Sequence, residues 1–189
     1  MRQKMEILDV VDETGKPLGR TVEREEAHRD GVWHRTASVW IVRKSNTESD
    51  WEVLLQKRSD IKDSYPGCYD TSSAGHIDAG DEPLETIIRE LGEELGIHAA
   101  PGDFTFIGTF HNNYDEVFHG SEFHNREVAF VHVYDKPVDI ADLVLQEEEV
   151  SGVAWFDLDD VWKKATSNDS AFCTPVGGLK LLRGYLADK

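Results

Sequence analysis

The chain has 189 residues, 39% of them hydrophobic and 30% charged, a length that fits one domain and a composition that packs a core. A net charge of −17 and a pI near 4.7 exclude partners held by clustered Lys and Arg, nucleic-acid polymers and anionic membrane surfaces alike, and no apolar run approaches the roughly 20 residues that cross a bilayer. Cys68 and Cys173 form no CxxC pair and the residues after Met1 carry no apolar signal core, which predicts a cytoplasmic protein with reduced thiols.

In chain order, Glu6 to Asp12 alternates apolar and acidic positions and runs into Thr14-Gly15-Lys16-Pro17-Leu18-Gly19, the pattern of a strand and turn in a hairpin. Residues 22–29 are charged and make one or two helical turns, whereas Ser38 to Val42 is apolar, β-branched and suited to a buried strand. A polar loop, Ser45 to Asp50, leads to a strand from Trp51 to Gln56. Pro66-Gly67, Gly75 and Gly80 predict irregular backbone from Tyr65 to Gly80. The period then changes. Leu84, Ile88, Leu91 and Leu95 recur at helical spacing, Asp81 and Glu82 precede Pro83, and Gly96 ends the pattern. Strands at 104–111, 126–134 and 150–156 follow, then a helix from Asp157 to Ala165, a polar loop from Thr166 to Asp169 and a terminal helix around Leu179 to Leu186. The sum is a single α+β domain over 1–189, with helices on a mostly antiparallel or mixed sheet, an N-terminal hairpin or extension over about 1–35 and C-terminal helices over about 157–189.

At about 100° per residue, Glu90, Glu93 and Glu94 fall within roughly 100° of one another, on the side away from the leucine stripe. Such a run is most often a solvated acidic face. Two features argue for a hard-cation site instead. The approach Ala74-Gly75-His76-Ile77-Asp78-Ala79-Gly80 can offer a loop carbonyl, and Arg89 can orient a carboxylate through a bidentate ion pair. A bound divalent ion also removes the repulsion between an acidic enzyme and a phosphorylated substrate.

Segment 75–97 resembles the Nudix box, Gly-x5-Glu-x7-Arg-Glu-U-x-Glu-Glu-x-Gly-U with U aliphatic, through Gly75, Asp81 at the first acid, Arg89, Glu90, Leu91, Glu93, Glu94, Gly96 and Ile97. With Asp81 set aside, chance produces such a match at a given start on the order of once in 10⁸. The resemblance implies a Nudix-type α/β/α sandwich and a hydrolase using Mg²⁺ (or Mn²⁺) to split the diphosphate of a small X-P-P-Y compound, such as a nucleoside diphosphate derivative. It further implies that Glu90 and Glu94 hold the principal ion, that Glu93 is a further ligand or the base, and that the Ala74 or Gly75 carbonyl completes the shell. Arg89 then fixes ligand geometry. Asp81 belongs either to an outer metal shell or to the helix N-cap.

Beyond the box, Glu26-Ala27-His28-Arg29-Asp30-Gly31-Val32-Trp33-His34-Arg35, Lys57-Arg58-Ser59, and Tyr65-Pro66-Gly67-Cys68-Tyr69-Asp70 ahead of Ser73-Ala74-Gly75-His76 resemble the branch related to isopentenyl-diphosphate isomerase. That enzyme moves protons with a Cys two residues before the His, where this chain has Ala74; Cys68, six residues earlier, reads as structural. The missing thiol and the intact Arg89-Glu90-Leu91-Gly92-Glu93-Glu94 favour hydrolysis over isomerisation, and over a non-catalytic ligand-sensing module. By the same resemblance His28, His34 and His76, with Glu127, form a candidate second metal site; alternatively His28 and His34 pin the N-terminal segment by hydrogen bonds. Glu127 is also the candidate ligand or base contributed by a later strand, with Glu116 and Glu122 as rivals. Lys57, Arg58 and Lys62 either meet the distal phosphate or are solvated surface. Trp33, Tyr65, Tyr69, Phe110, Tyr114 and Phe118 either stack on substrate or belong to the core. A homodimer is expected only as a general prior.

Overall fold

The computed structural model describes residues 6–45 and 50–189, so that most of the expected polar loop at 45–50 lies outside the described residues. A hairpin of β1 (Ile7–Val11) and β2 (Pro17–Glu23) leads into α1 (Arg24–Asp30). The sheet-forming strands are β3 (His34–Lys44), β4 (Trp51–Arg58), β5 (Tyr69–Asp70), β6 (Ser73–His76), β7 (Phe104–Phe118), β8 (Ser121–Tyr134) and β9 (Val150–Asp157). The remaining helices are α2 (Pro83–Leu95), α3 (Leu158–Thr166) and α4 (Val176–Leu186). The first turn closes because Asp12 Oδ1 accepts from the amides of Thr14 and Lys16 while Gly15 takes a φ of 84°.

The main sheet runs β5-β4-β3-β8-β7, with β6 paired to β3 and β9 to β4. It is mixed, since β3 runs parallel to β8 and antiparallel to its other neighbours. β3 changes partner along its length. Thr36 to Val39 pair with β6, and Ile41 to Lys44 pair with β4, so the sheet forks.

Strand alternation sorts the apolar residues of β3 onto two faces. Ala37, Val39 and Ile41 join Ile87, Leu91 and Leu95 of α2 in one core. Trp40 and Val42 join Leu158 and Val161 of α3 and Leu179 and Leu182 of α4 in another. A strand covered on both sides needs no polar face, which is why Val39-Trp40-Ile41-Val42 is unbroken. The result is the α/β/α sandwich. A third, smaller core of Leu8, Val10, Val22 and Ala27 holds the hairpin against α1. No described helix is long and apolar enough to cross a membrane.

Four sequence expectations need correction. The stretch 65–80 is not irregular throughout, because β5 pairs with β4 and β6 with β3. The strands expected at 104–111 and 126–134 are two arms of one hairpin that turns at His119 and Gly120, with φ of 51° and 82°. Its outer half, 112–125, mixes Tyr114, Val117, Phe118 and Phe123 with polar residues and leaves Val117 exposed, so no clean apolar alternation announced it. The buried stripe of α2 is Thr86, Ile87, Leu91, Glu94 and Leu95, with Leu84 and Ile88 only half-buried. The helix is thus rotated so that Glu94 lies under the sheet rather than away from it. Glu82, not Asp81, occupies the N-cap, and it makes no side-chain capping bond. At the other end Gly96 is left-handed, with Gly96 N–H donating to Gly92 O and Ile97 N–H to Leu91 O, a Schellman closure.

Leu91 is fully buried between α2 and the sheet, and Leu91→Ala is expected to cost about 2–5 kcal/mol, read as a lower urea midpoint at unchanged slope.

Candidate active site

Alternation along β6 builds two sites on opposite faces of one short strand. Ser73 and Gly75 point toward α2. The Ser73 hydroxyl donates to Glu94 Oε2 at 2.5 Å. A Cβ on Gly75 would stand 2.5 Å from Glu90 Cδ, so any larger residue there would push the Glu90 carboxylate off the backbone of β6. Arg89 Nη1 donates to Glu90 Oε1 at 2.7 Å and lies 3.7 Å from Glu93, one nitrogen serving two acids. The pairing is therefore not the expected bidentate fork.

The three acids occupy different environments. Glu94 is 5% exposed, and burial, with Glu90 and Glu149 nearby, pushes its carboxyl up to about 8 against the opposing Ser73 hydrogen bond. Burial also raises Glu90, to about 7, Arg89 opposing and Glu93 and Glu6 adding to it. The Glu93 side chain is 57% exposed. Two adjoining buried acids that resist ionising have the donor chemistry of a hard divalent cation, which replaces protons on carboxylates and tolerates a carbonyl beside them. Gly75 and the glutamates fit such an ion.

The other face of β6 carries His76. His34 on β3 pairs across the parallel ladder with Glu127 on β8, and α1 supplies His28. The ligand atoms of His28, His34, His76 and Glu127 all lie within 4.8 Å of one another. Each imidazole Nδ1 is already engaged: His28 with Arg24 O at 2.9 Å, His34 with Val32 O at 2.8 Å and His76 with a Glu6 oxygen at 3.2 Å. Carbonyl and carboxylate oxygens only accept, so Nδ1 carries the proton and Nε2 a lone pair. All three Nε2 atoms are buried and without a hydrogen-bond partner. Those of His34 and His76 face Glu127 Oε1 at 3.7 and 3.8 Å, acceptor against acceptor. Burial holds His28 down to about 3 and lowers His76 despite Glu6, which disfavours relief by protonation. The other oxygen of Glu127 accepts a hydrogen bond from Asn112 Nδ2 at 2.9 Å, which favours its ionised form. Lone pairs with no donor among them suit a transition ion. The hydrogen bonds of His28 and His34 to Arg24 O and Val32 O also fit the alternative expectation, that the two histidines pin the N-terminal segment.

The remaining candidates divide. Arg58 is half-buried and committed to Asp70 and to Ser64, while Lys57 is exposed on β4. Lys62 pairs with Glu149. Tyr65, at φ 48°, touches Tyr114 and Phe118, and through Phe123 this group reaches the face of His28. Tyr69 packs on Phe156 and Phe172, and Phe110 on Gly177 of α4, both as core; Trp33 meets His111. Glu116 is exposed and Glu122 pairs with His124, both far out on the hairpin arms beside its turn. Asp81 is bound only through its backbone, by Arg35 and Asp78. Cys68 and Cys173 are both free thiols. Sequence reading missed Ser73, Asn112, Glu149 and Glu6. Only Ser73, two residues before Gly75 on the same strand face, carried a local signal.

A family model for the NUDIX domain matches residues 32–173. An uncharacterised Nudix hydrolase of Clostridium acetobutylicum is 36% identical over 82% of this chain and 72% of its own length. Nudix hydrolase 3 of Arabidopsis thaliana is 38% identical over 88% of this chain, which spans only 21% of that protein. An isopentenyl-diphosphate Delta-isomerase of Aliivibrio fischeri is 29% identical over 88% of each chain. A crystal structure from Deinococcus radiodurans shares the fold, with a TM-score of 0.68 at 17% identity over 94% of this chain and 98% of that one. The chain belongs to the Nudix family, and these relatives make it a Nudix hydrolase of the branch that adjoins the isomerases.

Raised glutamate pKa values make a signed prediction for the metal-free protein. A folded pKa above the unfolded 4.5 gives stability that is complete below 4.5 and lost as pH rises through the folded value. The depressed histidines act oppositely, adding stability as pH rises toward 6.5 and no more beyond it. From pH 7 to pH 8 the glutamates therefore dominate, and chelator-treated protein should lose stability across that range in urea titrations. Glu94→Gln flattens the slope. Added Mg²⁺ reverses it, because the ion binds the ionised form.

Proposed function

We propose that this chain hydrolyses the diphosphate linkage of a small X-P-P-Y compound with Mg²⁺ held by Glu90, Glu94 and the Gly75 carbonyl. The observation that carries this reading is the pair of buried carboxylates, Glu90 and Glu94, packed against Gly75 and Ser73 of β6. Bound Mg²⁺ would neutralise charge on the diphosphate and acidify water. Arg89 holds Glu90 in place, and the Ser73 hydroxyl holds Glu94. Glu93, the exposed acid of the three, is placed to take a proton from the attacking water or to add a ligand. Water oxygen attacks one phosphorus, the bridging P–O bond breaks, and both products leave phosphorylated. Arg58, the expected phosphate contact, would have to give up bonds to Asp70 and Ser64 to meet a phosphate. Asp81 is assigned to the rim rather than to the ion.

His28, His34, His76 and Glu127 are assigned to a second, transition-type ion. This assignment takes Glu127 out of the role of general base for hydrolysis, since its two oxygens already face His34, His76 and Asn112. The same cluster, with the isomerase relative, favours a second reading, isomerisation of isopentenyl diphosphate. Ala74, where that reaction needs a thiol, speaks against it. A cytoplasmic setting with reduced thiols fits either.

Purified protein with Mg²⁺ and a panel of nucleotide sugars, dinucleoside polyphosphates, nucleoside triphosphates, coenzyme derivatives and isopentenyl diphosphate should yield cleaved phosphorylated products by mass spectrometry. Glu94→Gln should lower the rate by about 10²-fold or more. An allylic isomer without cleavage would overturn the hydrolytic reading.

A further inference from the structure

Glu6 stands just ahead of β1, about 70 residues in sequence from the strand whose histidine it touches. Its position is held from three sides. Glu6 O accepts from Arg24 N–H at 3.0 Å, Ile7 O accepts from Ala79 N–H at 2.8 Å, and Leu8 bridges to Asp78. The N-terminal hairpin is thereby sewn to the loop that follows β6. One Glu6 oxygen lies 3.2 Å from His76 Nδ1 and 3.6 Å from Arg24 Nε. The carboxylate is 37% exposed while His76 is 17% exposed, so it closes the cluster from its solvent side.

We infer that Glu6 is a positioning carboxylate: by accepting the Nδ1 proton of His76 it fixes the tautomer and ring setting that present a bare Nε2 to an ion shared with His28, His34 and Glu127. This rests on the metal reading of that cluster. The other two histidines are oriented by backbone carbonyls, which no side-chain substitution removes. His76 is the one whose orientation depends on a replaceable group. Ligand basicity follows too, because a carboxylate behind an imidazole strengthens its donor nitrogen. Arg24 joins the arrangement twice, its carbonyl holding His28 and its guanidinium facing Glu6. The start of α1 and the end of the N-terminal extension therefore serve as outer supports for two of the three histidines.

The test uses the full chain with Zn²⁺ as probe, its affinity measured by competition with a chromophoric chelator, and His34→Ala as the reference that removes a ligand outright. Glu6→Ala should weaken the His34-dependent site about 10- to 100-fold, the range typical for loss of an outer partner. Glu6→Gln should recover most of that loss, because its amide oxygen accepts the same bond. In metal-free protein, long-range ¹H–¹⁵N correlation should show the Nδ1-protonated tautomer of His76 in the parent and Glu6→Gln but a mixture in Glu6→Ala, a change that a merely structural role would not produce. Glu6→Ala with affinity within twofold of the parent and an unchanged tautomer overturns the inference and leaves the metal reading intact. If the parent takes up no His34-dependent Zn²⁺, the metal reading falls and the affinity claim with it, while the tautomer still decides whether Glu6 orients His76.

Discussion

Carboxylates and imidazole lone pairs crowded around the four residues of β6, with few donors to meet them, are the constraint on which the rest of this structure depends. On one face Glu90 and Glu94 crowd against Gly75 and Ser73. On the other, three imidazole nitrogens and Glu127 converge with no donor among them. Either arrangement alone opposes folding, since acceptors forced together in a low-dielectric interior repel. The surrounding sandwich supplies the opposing free energy through two apolar cores. They meet on β3, the strand that pairs with β6, and its alternating side chains belong to both. A rigid frame with strained electrostatics at its centre is the condition under which an incoming cation gains the most.

The net charge of −17 takes on a specific meaning in that setting. A net negative charge of this size repels a diphosphate, and the local cations among the described residues are already paired near the glutamates. Arg89 is shared between Glu90 and Glu93, Arg58 is tied to Asp70, and Lys62 to Glu149. Attraction for the substrate must come chiefly from what the acids bind. The same logic separates the two centres by ion type. Carboxylates and a carbonyl make a hard oxygen site on the α2 side, whereas neutral imidazoles on the other side favour a softer ion. One strand thus keeps two sets of donor groups apart by the alternation of its side chains.

How far the site was legible in the sequence follows the range of each interaction. The box from Gly75 to Ile97 is contiguous, so its helix, its Gly96 closure and its acids could be read directly. Glu94 was placed on the wrong face because a stripe chosen from leucine and isoleucine alone ignores that a buried carboxylate can ride with them when a hydroxyl meets it. His28, His34, His76 and Glu127 were grouped by resemblance and not by pattern, since they come from α1, β3, β6 and β8 and share only a face created by pairing. The stretch 112–125 escaped detection because a hairpin supported by its partner strand needs no apolar period of its own. Glu6 and Glu149 carried no signal whatever; their importance is set by loop docking alone.

That docking alters how the N-terminal extension should be understood. The hairpin β1–β2 buries a modest core of its own with α1, yet Glu6, just ahead of it, reaches the histidine cluster from the solvent side. Three of the contacts that seat it, through Arg24, Ala79 and Asp78, fall on segments that also place His28, His76 or Arg89. The docking of the hairpin and the placement of the loop after β6 therefore depend on one another, because the backbone of Glu6, Ile7 and Leu8 pairs with Arg24, Ala79 and Asp78 while the Glu6 carboxylate meets His76.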